Sequence, residues 1–157
     1  MSEEKPHPLL RAKDIQELPE QIRIHQFNKD AIRHTRSLGD LTGLTSIGAH
    51  LVRVEPGAQS TQFHTHQVDE EFLYILSGQG TAEIGEEKFA IESGDFMGFT
   101  ANSLPHNLIN TSNEDLVYLM CGNRNEIDIC DYPRIKRRMY RVKGRKEFVD
   151  LDALKEV

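Results

Sequence analysis

From Thr45 to Cys121 the chain alternates short runs of apolar and β-branched residues with clusters of turn formers. Alternation of that kind is the signature of half-buried strands. Ala49 to Val54 reads as one strand, closed by Glu55-Pro56-Gly57. Further strands are predicted over Gln62 to His66, Glu71 to Leu76, Thr81 to Ile84, Lys88 to Ile91, Phe96 to Phe99, Pro105 to Asn110 and Leu116 to Cys121. Gly85-Glu86-Glu87 supplies a hairpin turn, and the polar stretch 111–115 links the last two strands. About eight short strands at this spacing predict an all-β jelly-roll barrel.

The flanks differ in pattern. Residues 1–42 read as a polar N-terminal extension, 43–122 as the barrel and 123–157 as a C-terminal extension. In the first, Asp14 to Leu18 suits a single helical turn stopped by Pro19, and Gln21 to Phe27 a loose edge strand. In the last, Asn123 to Tyr132 reads as an acidic loop and 134–146 as a basic run holding eight of the 19 Lys and Arg. That run could grip phosphate or an acidic partner, or neutralise the protein's own carboxylates. Phe148, Leu151 and Leu154 then fall at helical spacing behind Asp150, predicting a short capped docking helix.

Candidate chemistry concentrates in HTHQVDEEFLYILSG, residues 64–78. A strand's period of two points His64 and His66 to the same side. Glu71 follows after a polar turn, and His106 stands in SLPHNLIN further on. Imidazoles with a carboxylate suit one divalent metal ion, of zinc, nickel, manganese or iron type.

These residues resemble the first cupin motif, with Gly57, His64, His66, Glu71 and Gly78 in order, four residues between His66 and Glu71 and six between Glu71 and Gly78. Gly94, His106 and Asn110 resemble the second motif, in which Thr100-Ala101-Asn102 replaces the usual Pro-x-Gly. The resemblance is to small single-domain cupins. It implies a jelly-roll barrel, a metal held by His64, His66, Glu71 and His106, a mainly structural Asn110, and commonly a homodimer.

Side-chain parity extends the reading. If Glu71 points inward, so do Leu73 and Ile75, while Phe72, Tyr74 and Leu76 form an outer face that another layer should cover. A second subunit is the expected cover. Gln62 shares the parity of His64 and His66 and is the candidate to orient a ligand or substrate. Leu108 and Asn110 are expected inside, with Asn107 outside. His50 is not needed as a fifth ligand, His25 and His34 are read as solvated surface residues, and His7 as part of a mobile tail.

A net charge of −6 argues against a nucleic-acid footprint. No apolar run is long enough for a membrane span, and MSEEKPHPLL lacks the layout of a secretory leader, so a cytoplasmic protein is expected. The two cysteines give no disulfide framework; Cys121 reads as a buried strand residue and Cys130 as a loop thiol. The expected function is that of a metal-dependent enzyme on a small sugar-like or carboxylate substrate, isomerase-like or dioxygenase-like. A non-catalytic small-ligand sensor is the alternative. Against isomerisation, the sequence pattern places no arginine or lysine at the barrel mouth outside the basic tail.

Overall fold

The computed structural model describes residues 6–155. Its strands are Gln21–His25 (β1), Asn28–Ser37 (β2), Ile47–Val54 (β3), Thr65–His66 (β4), Glu71–Ser77 (β5), Gln79–Ile84 (β6), Glu87–Glu92 (β7), Phe96–Phe99 (β8), His106–Ile109 (β9), Leu116–Asn123 (β10), Ile127–Tyr132 (β11), Arg137–Val142 (β12) and Arg145–Asp150 (β13). Two short α-helices, Ala12–Glu17 (α1) and Leu38–Leu41 (α2), complete the regular structure apart from two 3-10 turns.

The strands build two walls. One is a six-stranded sheet in the order β1-β2-β3-β10-β5-β8. The other consists of β13-β12-β11-β4 and β7-β6-β9, joined by an antiparallel bridge between His64 and His106. Between the walls, Val52, Val54, Leu73, Ile75, Leu108, Leu116 and Tyr118 form a continuous apolar core. The inward parity of Leu73 and Ile75 places both in this core, which excludes water below the mouth of the barrel.

The flanks are more regular than their composition suggests. Residues 127–132, expected within an acidic loop, form β11, because the stretch alternates and its buried side is Asp128, Cys130 and Tyr132. Cys130 is therefore a fully buried strand residue and not a loop thiol. The expected docking helix is also replaced: Phe148 lies in β13, and only Leu151–Ala153 turn as a 3-10 helix. Asp150 makes no side-chain cap there. A helix could bury one stripe, but pairing with β12 satisfies the backbone and still packs Phe148 against Cys130, Tyr132 and Met139. Phe27 of the N-terminal segment meets Phe148 edge-on at 5.1 Å, tying the two flanks together.

Asn107, expected outside, is buried, because residues 59–61 fold over it; its Oδ1 accepts from the Ser60 hydroxyl at 2.9 Å. Most of the basic run meets carboxylates of the chain itself, including Arg134 with Glu83 and Arg138 with Asp131. The outer face of β5 and β8 carries Tyr74, Leu76 and Phe96, all exposed, so the described residues of the flanks do not cover it.

Two motif residues have clear structural causes. Gly78 adopts φ +83, and a Cβ there would collide with the backbone of Asp115. Asn110 is fully buried; its amide donates to the carbonyls of Val54 and Glu114 at 2.8 and 2.7 Å, while its Oδ1 accepts from the backbone and hydroxyl of Ser112. Replacement Asn110→Ala removes the buried amide that bonds the carbonyl of Val54 and ties the 110–114 turn, and is expected to lower stability by about 2 kcal/mol. A urea midpoint equal to that of the unsubstituted protein would contradict this account.

Candidate metal centre

Backbone pairing sets the site. His64 donates to the carbonyl of His106 at 3.2 Å and accepts from its N–H at 2.8 Å, which places the two imidazoles side by side, 4.7 Å between centroids. Glu71, the first residue of β5, reaches across from the facing wall. Its Oε1 lies 2.7 Å from His106 Nε2 and 3.6 Å from His64 Nε2. Phe99 stacks on the His106 ring at 3.5 Å and 5°, so ring rotation is blocked.

The Nδ1 atoms of His64 and His66 have partners that fix their role, whereas His106 Nδ1 is buried and has none among the described residues. His64 Nδ1 lies 2.9 Å from the Gln62 carbonyl, which can only accept, so Nδ1 carries the proton and Nε2 keeps its lone pair. His66 Nδ1 is 2.7 Å from Asp128 Oδ2, leaving its Nε2 as the outer nitrogen. A carboxylate behind an imidazole is the usual support for a metal-binding histidine. Donor atoms of His64, Glu71 and His106 lie within 4.8 Å of one another, and those of His64, His66 and Cys130 form a second such group. His66 thus joins His64 but not Glu71 and His106 within that limit, because Asp128 draws its ring toward β11. A third group, His66, Asp69 and Asp128, is already engaged: Asp69 binds Arg141 and Asn125, and Asp128 accepts from the backbone of Asp69.

Gln62 is buried beside the site, and its backbone carbonyl meets His64 Nδ1. Asp128 was invisible to the sequence reading, although the period-two pattern of IDICDY held the signal. His25 and His50 line the cavity rather than lying on a solvated surface or standing apart, and His34 sits between Glu20 and Glu55 at 3.3 Å from each. Arg141 and Lys146 of the basic run line it too, and Arg33 and Arg124 correct the expectation that no cation outside that run reaches the mouth. The cavity measures about 330 Å³, the size of a small-molecule site.

Electrostatics follow from burial and partners. Burial alone would raise the Glu71 carboxyl, but the hydrogen bond to His106 and the nearby imidazole of His64 outweigh it and hold it well below its ordinary range. Burial likewise opposes ionisation of Asp128, and the His66 hydrogen bond and charge reverse the sign, lowering it. His66 is raised: burial pulls it down, but Asp128 and Glu71 pull it up more strongly. Burial lowers His64, and pushes His25 down to about 4, so both rings are neutral near pH 7. Burial pushes the Cys130 thiol up to about 12, which keeps it protonated in the metal-free protein.

Fold and donor set together define a cupin. Residues 50–122 match the Cupin domain family model. The solved structure of a putative sugar phosphate isomerase from Acidithiobacillus ferrooxidans is 38% identical, with a TM-score of 0.93 over 95% of this chain and 96% of that one. A sugar phosphate isomerase from a cupin superfamily, from Silicibacter pomeroyi, shares the fold at TM-score 0.82 and 24% identity, over 96% of this chain and 97% of that one. An uncharacterized protein of Methanocaldococcus jannaschii is 34% identical over 69 residues, 44% of this chain; the match spans 54% of that protein's length. The chain belongs to the cupin superfamily. Among the described residues no helix is long and apolar enough to cross a membrane.

The depressed carboxyls have a pH consequence. Glu71 and Asp128 contribute stability that is fully present above the unfolded carboxyl pKa and is lost as pH falls through their lower folded values. His66 runs oppositely, contributing below its unfolded pKa and losing that contribution as pH rises through its raised folded value. The thermal midpoint of chelator-treated protein is expected to fall below about pH 4.5. Asp128→Asn should flatten that fall; an unchanged midpoint-against-pH curve for the variant would remove Asp128 from the account.

Proposed function

We propose that the protein is a metal-dependent enzyme in which His64, His66, Glu71 and His106 hold one divalent ion of zinc, nickel, manganese or iron type. Its substrate is a small oxygenated molecule, and isomerisation of a hydroxy-carbonyl compound is the reaction best supported. The observation that carries this reading is the orientation of the donors: oxygen partners at Nδ1 of His64 and His66 leave both Nε2 atoms as ligands beside the ionised Glu71. Bound there, the ion supplies Lewis acidity to a carbonyl or hydroxyl oxygen.

The chain's own groups complete the site. His25 and His50 are both lowered by burial, so neutral imidazoles are available to accept or relay a proton. Burial keeps the Tyr118 hydroxyl protonated, at about 12, as a potential donor to substrate oxygen. Leu73, Met120 and Met139 line the wall with apolar surface and limit water around the reacting atoms. The relative from Acidithiobacillus ferrooxidans, described as a putative sugar phosphate isomerase, supports the same direction. The reading places the protein in the cytoplasm, where the free Cys121 and Cys130 stay reduced.

Protein purified without added metal or chelator is expected to contain about one metal ion per chain, as a four-ligand site requires. His64→Ala and His106→Ala should each lose it while remaining folded. Elemental analysis and circular dichroism on the same samples check this; full occupancy in either variant overturns the ligand assignment. If the metal is iron and oxygen uptake accompanies turnover, the isomerase reading gives way to oxygenation.

The reading includes a homodimer formed through the exposed face of Tyr74, Leu76 and Phe96, where apolar side chains have no cover among the described residues. Sedimentation is expected to give twice the 18.0 kDa chain mass. Phe96→Glu should shift the protein toward monomer; a monomeric unsubstituted protein would exclude the dimer.

A further inference from the structure

Beside the metal pocket lies a second chamber of about 230 Å³. The two share His25, Arg33, Ser60, Thr61, Tyr132 and Lys146 in their walls, so a ligand can extend from one into the other. The charged residues lining the second chamber are Arg23, Arg33 and Lys146, and no carboxylate lines it. That is a local excess of positive charge in a chain of net charge −6.

The backbone register sharpens the point. Arg23 and Arg33 stand directly opposite one another in the β1–β2 ladder. Like charges at opposed positions of an antiparallel pair repel and destabilise it. Elsewhere the chain matches its arginines carefully: Arg53 pairs with Glu20, Arg134 with Glu83, Arg138 with Asp131 and Arg141 with Asp69. Around the chamber it does not. Arg23 donates to the neutral Gln21 side chain at 2.9 Å, and Arg33 contacts the Met120 sulfur at 3.7 Å. Among the described residues, neither arginine nor Lys146 has a carboxylate partner. Three cations around a partly enclosed volume, two of them forced together by strand register, lack a counter-charge that a bound anion can supply.

We propose that this chamber binds the phosphate of a small phosphomonoester whose oxygenated end extends into the metal pocket. The proposal rests on the enzyme reading above and names its substrate class. Charge separates phosphate from carboxylate: a phosphate dianion offers more charge and three terminal oxygens to two guanidinium groups and an ammonium. One cation arrives from each flank of the barrel, Arg33 on β2 and Lys146 on β13. The subsite therefore requires both terminal segments, not the family-matched residues 50–122 alone.

The test uses inorganic phosphate, titrated calorimetrically into the full-length, chelator-treated protein at low ionic strength, with acetate in parallel. Phosphate is expected to bind without metal, to weaken about tenfold in Arg33→Met, and to weaken severalfold in Lys146→Met. His106→Ala should bind it as the unsubstituted protein does. Lys146 is exposed, so its variant reports on the chamber even if Arg33→Met fails to fold. Binding that survives intact in both cation variants, or that disappears in His106→Ala, overturns the proposal. Acetate bound as tightly as phosphate overturns the phosphomonoester assignment. Phosphate binding at the chamber in a protein that takes up no metal would support the anion subsite and sink the enzyme reading alone.

Discussion

The reciprocal backbone pair between His64 and His106 is the constraint on which the remaining geometry depends. It fastens the sheet containing β9 to the sheet containing β4, and so closes one wall of the barrel. The same two hydrogen bonds set the distance between two imidazoles. In an antiparallel pair that exchanges both bonds, the side chains leave on the same side of the sheet. Closure of the fold and assembly of the donor set are therefore one event. Glu71 depends on it indirectly, since its carboxylate is held by the ring that the pair positions.

Around that pair lies a buried polar network that couples the site to the C-terminal strands. Asp128 supports His66 and receives the backbone N–H groups of Val68 and Asp69. Asp69 in turn binds Arg141 on β12. The turn between the histidines and Glu71 is thus held by residues more than fifty positions away. Low-dielectric surroundings make such a network favourable only when each member is satisfied. Here the carboxylates face donors, which accounts for the lowering of Asp128 despite its burial.

The barrel strands were legible because their period-two pattern, glycines and prolines all pointed the same way. Phe96 to Phe99 matches β8 at both ends. The donor types were legible because His64, His66, Glu71 and His106 follow a spacing that depends on local chain geometry. The flanks were not, for a physical reason. In β11 the buried side carries Asp128, so hydrophobicity marks the wrong face, and only its partners reveal why the acid is tolerated. Arg33 and Lys146 are equally ordinary in sequence; their meeting at one cavity is a long-range product of strand order. The contact of Gln62 with His64 runs through a backbone carbonyl and so carries no signature in residue type.

The candidate donors come from one part of the chain, and a share of the cavity wall comes from another. His64, His66, Glu71 and His106 lie within residues 50–122, whereas His25, Arg33, Asp128, Tyr132 and Lys146 lie outside them. Natural variation in the two terminal segments can then remodel what the cavity admits while the inner histidines and Glu71 stay untouched. Such a division of labour lets drift in the outer strands reshape the cavity without disturbing the residues at its floor.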